Sequence, residues 1–206
     1  MPHLLRIDSS ARRDGSVSRD LGNTFEAAWR ARGTEFSVAR RDLTDASVPQ
    51  ITELTIAGFY TAPHDMTAEL RAATALSDAL IAELKDADEL LITVPMYNFT
   101  VPAALKAWID QIVRINHTFS YDGQSFQGLL AARRATIVSA YGAGGYLGGG
   151  ALATADFCVA YLKFLLGFLG IAAVEHIGIE ATTGEAAGLA RQINQAGVRI
   201  SVAAAA

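Results

Sequence analysis

Five short runs, four apolar and one more polar, separated by longer stretches with helical spacing, constrain this chain more than any other feature. The apolar runs are Leu4 to Ile7, Glu89 to Val94, Ala135 to Ser139 and Ala173 to Ile179, and Phe36 to Leu43 is the more polar one, second in order. Runs of this length that do not alternate strictly read as strands covered on both faces. Between them, Leu21, Phe25, Ala28 and Trp29 keep helical spacing until Gly33. Thr67 to Lys85 is rich in Ala and Leu, and Leu105, Trp108, Ile109, Ile112 and Val113 follow Pro102 at helical intervals. Further helices are expected from about Leu152 to Leu169 and after Thr183-Gly184. Thr44 to Met66, with Pro49 and Pro63, reads as an irregular surface excursion. Strands alternating with helices imply an α/β fold: one three-layer sandwich over residues 1–206, with a five-stranded parallel sheet in the order 2-1-3-4-5.

Composition narrows the function classes. Hydrophobic residues make up 51% of the 206 and charged ones 18%, enough to fill a large core and too apolar for a disordered chain. The net charge of -4 comes from 17 basic and 21 acidic residues without a basic stripe, which argues against nucleic acid as partner. It also argues against a polybasic membrane anchor. Cys158 is the only cysteine, so no intrachain disulfide forms, a reducing compartment fits, and the thiol reads as a small buried hydrophobe. The first residues lack the long apolar region of a signal peptide. Ala151 to Val174, interrupted by Asp156 and Lys163, reads as a buried helix rather than a span. The expected location is the cytoplasm.

In a doubly wound sheet a ligand sits beyond the carboxyl ends of the strands. After the first run comes Ser9-Ser10-Ala11-Arg12-Arg13-Asp14-Gly15-Ser16-Val17-Ser18. The hydroxyls of Ser10, Ser16 and Ser18, with free amides at a helix start, suit a phosphate monoester. The bland alternative is that Ser16 caps the helix in a solvated loop. After the third run, Met96, Tyr97, Asn98 and Phe99 lie between Pro95 and Val101-Pro102. Backbone amides there can meet the edge of a planar ring system while side chains pack on its face; an ordinary turn with buried aromatics is the alternative. After the fourth run, Gly142 to Gly150 is dense in glycine, which permits close approach to a ligand or movement.

Other motifs carry less. The relaxed GxGxxA match at Gly148 lies too far past its strand for dinucleotide binding. GxSxG is absent, and His3, His64, His117 and His176 show no metal-ligand spacing. His117, beside Thr118-Phe119, is the histidine best placed to approach a site. Trp29 and Trp108 read as packing, Lys106 and Asp110 as an i,i+4 pair, and Arg133-Arg134 as a solvated edge.

Taken together, Ile7-Asp8-Ser9-Ser10, Ser16-Val17-Ser18, Pro95-Met96-Tyr97-Asn98-Phe99, Val101-Pro102-Ala103-Ala104-Leu105-Lys106-Ala107-Trp108, Thr118-Phe119-Ser120-Tyr121 and Gly128-Leu129-Leu130 resemble the FMN-dependent NAD(P)H azoreductase/quinone reductase family, whose fold is flavodoxin-like. The resemblance implies that Ser10, Ser16, Val17 and Ser18 hold the FMN phosphate. It implies that Met96, Tyr97, Asn98 and Phe99 line the isoalloxazine, with Ser139 and Gly142 as further flavin contacts. Phe119 and Tyr121 become parts of the substrate wall. The family's Ser-Arg-Gly-Gly stretch is replaced here by the longer Ser139-Ala140-Tyr141-Gly142-Ala143-Gly144-Gly145, without the arginine. Family members are homodimers with the active site at the subunit interface.

The implied activity is two-electron, ping-pong reduction of quinones and azo compounds, with NADH or NADPH as co-substrate. No catalytic side chain is required, because the flavin carries the hydride. Two rivals stand beside it: a non-catalytic flavodoxin-like electron carrier, and a flavin-free NAD-binding dehydrogenase using the Gly148 motif.

Overall fold

A computed structural model describes residues 1–45 and 47–205. The chain runs β1 (His3–Asp8), α1 (Val17–Arg30), β2 (Ser37–Asp42), α2 (Glu53–Tyr60), α3 (Ala68–Asp86), β3 (Glu89–Pro95), α4 (Ala103–Ile112), β4 (Phe119–Tyr121), β5 (Phe126–Gly128), β6 (Arg134–Ala140), α5 (Phe157–Phe168), β7 (Val174–Ile179) and α6 (Ala186–Ala205). The five expected strands are β1, β2, β3, β6 and β7. They form one parallel sheet in the order β2-β1-β3-β6-β7, the pattern expected.

Period-two alternation sends successive side chains to opposite faces. Leu5, Ile7, Leu90, Ile92, Val94 and Ile137 meet Leu80 and Leu84 of α3, Leu105 and Trp108 of α4 and Leu162 of α5. Leu4, Leu91, Val138 and Ile177 face the other way, onto Phe25 and Trp29 of α1 and Ile200 of α6. Two cores, one on each side of the sheet, make the three layers. Both tryptophans are buried, as their spacing implied. Cys158 is buried too, and its burial pushes the thiol up to about 12.

The strand ends are level. Asp8 stands opposite Thr93, Pro95 opposite Ala140, and Ala140 opposite Ile179. The connections that leave these ends therefore share one rim.

Two local expectations need correction, and one hairpin was not anticipated. The excursion from Thr44 to Met66 contains helix α2, opened by a reciprocal Thr52–Thr55 capping box. Its apolar residues fall all round the helix, so no stripe announced it. The segment before β6 folds into an antiparallel β4–β5 hairpin whose turn is held by the Asp122 carboxylate accepting from the Gln124 and Ser125 amides. Its three-residue strands are too short to show a period. The helix expected from Leu152 starts at Phe157, where the Asp156 carboxylate accepts from the Val159 amide, after a 3₁₀ turn at Ala153–Ala155.

The charged pairs divide. Lys106 and Asp110 form the expected i,i+4 bridge. Arg134, read as a solvated edge, instead donates to the buried Glu89 carboxylate at 2.8 Å, and Arg133 approaches the same carboxylate. The isolated charge of Glu89 on β3 needs these partners.

Candidate functional site

A cleft of about 400 Å³ opens at the carboxyl rim. Ser10, Ser16, Val17 and Ser18 line it from the β1–α1 connection, Met96 and Tyr97 from the end of β3. Gly142 contributes from beyond β6, and Thr182 and Thr183 from beyond β7. Segments more than a hundred residues apart thus meet in one place, because parallel strands deliver their carboxyl ends to the same rim.

The serines are not spent on the helix. Ser16 occupies the N-cap of α1 with extended backbone, yet its side chain makes no capping hydrogen bond. The plain capping alternative is therefore excluded. Its hydroxyl instead lies against that of Ser18, and both residues are buried. The first intrahelical bond runs from the Asp20 amide to the Ser16 carbonyl. Among the described residues no hydrogen bond is recorded for the amides of Val17, Ser18 or Arg19. Hydroxyls that bond only each other, beside free amides at the positive end of a fourteen-residue helix, make a cradle of the kind that can receive an anion.

The cradle is braced from behind. Arg19, itself buried, donates from Nη2 to the Ser10 carbonyl at 2.7 Å and forks onto the Asp42 carboxylate at 2.6 and 2.8 Å. The Arg19 guanidinium holds the Asp42 carboxyl well below the usual carboxylate range. Arg6, buried on β1, joins Asp8 at 3.0 Å and Glu26 at 3.3 Å. The Arg6–Glu26 and Arg19–Asp42 pairs carry no short sequence signature, since their partners lie on different elements. Arg12, another lining residue missed from the sequence, adds an exposed cation to the cleft.

The aromatic segment forms a tight turn. Tyr97 and Thr100 exchange both backbone hydrogen bonds, at 3.0 and 3.1 Å, around Asn98 at φ +49° and Phe99 at φ +70°. Two consecutive left-handed residues define a type I′ turn, which Asn favours and Phe does not. Strain of this kind persists where the surroundings over-determine it. Met96 and Tyr97 face the cleft, whereas Asn98 and Phe99 project at the exposed tip and do not line it.

Further expectations about side chains fail within this chain. Ser139 is fully buried, its hydroxyl 2.7 Å from Nε2 of His176, and Ala140 rather than Ser139 faces the cleft. Burial, reinforced by Lys163, holds His176 down at about 4, so the imidazole is neutral at pH 7. Phe119 and Tyr121 lie on the β4–β5 hairpin at the opposite rim. That hairpin leads into β6 at its amino end, where Arg133 donates to the Asp88 carbonyl ahead of β3 and Leu130 to the Leu169 carbonyl past α5. They cannot wall their own chain's cleft. His117 is likewise elsewhere, in a separate cavity with Phe59, Asp78 and Arg114, and burial lowers its pKa.

The family model described as "Flavodoxin-like fold" matches residues 2–201. The chain belongs to this flavodoxin-like family. Among relatives of this flavodoxin-like protein is an FMN-dependent NADH:quinone oxidoreductase of Xanthobacter autotrophicus, 53% identical over 175 residues, covering 85% of this chain and 84% of that protein. A Nostoc punctiforme protein of the same name is 42% identical over 177 residues, with 86% of each covered. Among solved structures, the azoreductase from Bacillus anthracis superposes with a TM-score of 0.89 at 25% identity, covering 99% of both chains. Among the described residues no helix of this flavodoxin-like chain is long and apolar enough to cross a membrane.

Proposed function

We propose that this chain is an FMN-dependent NADH:quinone oxidoreductase that also accepts azo compounds. One observation carries the reading: the uncommitted hydroxyl and amide cradle at the start of α1 shares a single cleft with the Met96–Tyr97 segment. A phosphate-bearing, planar ligand needs both ends. The names of the relatives at 53% and 42% identity support the same ligand and reaction.

When bound, the flavin supplies two-electron transfer between a nicotinamide and a quinone, by a ping-pong sequence of two half-reactions. The chain's own residues bind and orient. Ser10, Ser16 and Ser18 donate to phosphate oxygens alongside the Val17 and Ser18 amides. Met96 and Tyr97 pack against the ring, and the backbone of the turn they open supplies donors at its edge. Gly142, Thr182 and Thr183 close the opposite side. NADPH remains the alternative co-substrate.

The hairpin residues enter through a second copy. Phe119 and Phe126 cluster with Phe168, Tyr121 stacks on Phe126 at 4.6 Å, and Phe126 and Phe164 are 60% and 71% exposed. An aromatic face of this extent suits burial in a homodimer, in which Phe119 and Tyr121 wall the partner's cleft. A single flavin-binding domain working in the cytoplasm completes the reading.

Steady-state oxidation of NADH by the FMN-loaded chain, with a quinone as acceptor, tests the proposal. Turnover without any protein partner is expected. FMN retention with no turnover would instead favour an electron carrier.

A further inference from the structure

The Gly142–Gly150 loop contains six glycines, yet it is fastened rather than slack. A single carboxylate oxygen of Glu180 accepts the backbone amides of Gly145, Tyr146 and Leu147 at 2.9, 2.9 and 3.0 Å. Three successive N–H groups converging on one oxygen form a concave anion site. Here the anion is the chain's own side chain. Gly145 takes φ +94°, and Gly150 packs so tightly on it that a Cβ would stand 2.5 Å from the Gly145 carbonyl oxygen.

Glu180 is itself held in place. Its amide donates to Oε1 of Gln192 at 3.1 Å, and Nε2 of Gln192 donates back to its carbonyl at 3.0 Å. The next residue, Ala181, is left-handed at φ +55° and donates to the Ala143 carbonyl. A non-glycine residue keeps that conformation only under constraint from its surroundings. Thr183 then donates to the Gly142 carbonyl through both its amide and its hydroxyl. The β7–α6 connection thereby grips the loop at Gly142, at Ala143 and at residues 145–147, and the first of these lies on the wall of the rim cleft.

We propose that Glu180 is a positioning residue: its carboxylate fixes the glycine loop, and through it the Gly142 side of the cleft, in the shape that receives FMN and the second reactant. The inference rests on the flavin reading above. Glu180 does not touch the flavin in this account; it acts through the loop. Charge-assisted bonds to three amides exceed what a neutral acceptor or water supplies, so the side-chain charge matters as well as its reach.

The test compares Glu180→Ala and Glu180→Gln with wild type in the full chain. It measures hydrogen exchange at the Gly145, Tyr146 and Leu147 amides, FMN affinity, and the kinetics of quinone reduction. In the Ala variant exchange at the three amides is expected to rise about tenfold or more, given the usual strength of hydrogen bonds to charged groups. FMN affinity falls several-fold, and KM rises more than kcat falls. The Gln variant lies between the Ala variant and wild type. Faster exchange with wild-type FMN affinity and KM would overturn the inference, and so would unchanged exchange. If the Ala variant does not fold, the Gln variant decides: wild-type values in all three measurements overturn the inference. Failure of wild type itself to bind FMN would be a failure of the flavin reading, and is seen separately in the same titration.

Discussion

The hydroxyl oxygens of Ser16 and Ser18 stand 3.4 Å apart at the mouth of α1, buried and free of any capping role. A pair of donors so placed is available to a ligand. Ser16→Ala and Ser18→Ala are each expected to cost about 1.5–3 kcal/mol of FMN binding, the usual worth of a hydrogen bond to a charged group. Titration of apoprotein followed by flavin fluorescence reads the loss, on the order of tenfold to a hundredfold in Kd. Melting temperatures should barely move, because neither hydroxyl supports the helix.

The Tyr97–Thr100 turn separates backbone geometry from side-chain chemistry. Asn98→Gly keeps the left-handed conformation at φ +49° and removes only the amide, whereas Asn98→Ala also strains the turn. If the side chain donates to the flavin ring, both variants weaken FMN or slow its reduction. If the turn alone matters, only the Ala variant does. Phe99→Gly, at φ +70°, relieves strain and is expected to stabilise the fold by about 1 kcal/mol, measured by urea unfolding.

His176 sets a pH dependence. Its folded pKa of about 4 lies below the ordinary 6.5, so between these values the unfolded chain binds a proton that the folded chain refuses. The stability from a neutral His176 is complete above pH 6.5, declines as pH falls to about 4, and levels off below. His176→Gln should flatten this part of the profile. Urea unfolding of both proteins at pH 7 and pH 5 gives the comparison: an equal decline in both would contradict the assignment.

Close packing of two backbones supplies a stability test far from the cleft. A Cβ on Gly128 would come within 2.2 Å of the Gly170 nitrogen, and the atoms it meets are backbone, which cannot swing aside as a side chain can. Gly128→Ala is expected to destabilise by about 1–3 kcal/mol, the range for overpacking. Denaturant unfolding gives the figure.

The layering was legible because it rests on near-neighbour pattern. Leu90, Leu91 and Ile92 are consecutive and all buried, the signature of a strand covered on both sides, and level strand ends then bring Ser16 and Tyr97 together. What escaped depends on distance along the chain. Arg19 finds Asp42 and Glu180 finds Gly145 only after folding, and no local spacing encodes either pair. Ser139 shows the converse. Its position at a strand end was right, but the pleat turns its hydroxyl inward to His176 and leaves Ala140 on the cleft. Phe119 and Tyr121 were recognisable as site-like aromatics, yet the direction of α4 carries them to the far rim.

Whether the α1 cradle holds a phosphate is most directly measured by comparing FMN with riboflavin, which share the ring and differ in that group. Binding of FMN at least a hundredfold tighter than riboflavin, with the gap largely lost in the Ser16→Ala/Ser18→Ala double variant, is the result expected from two or more charge-assisted hydrogen bonds. Equal affinity for the two flavins in the wild-type chain would contradict it.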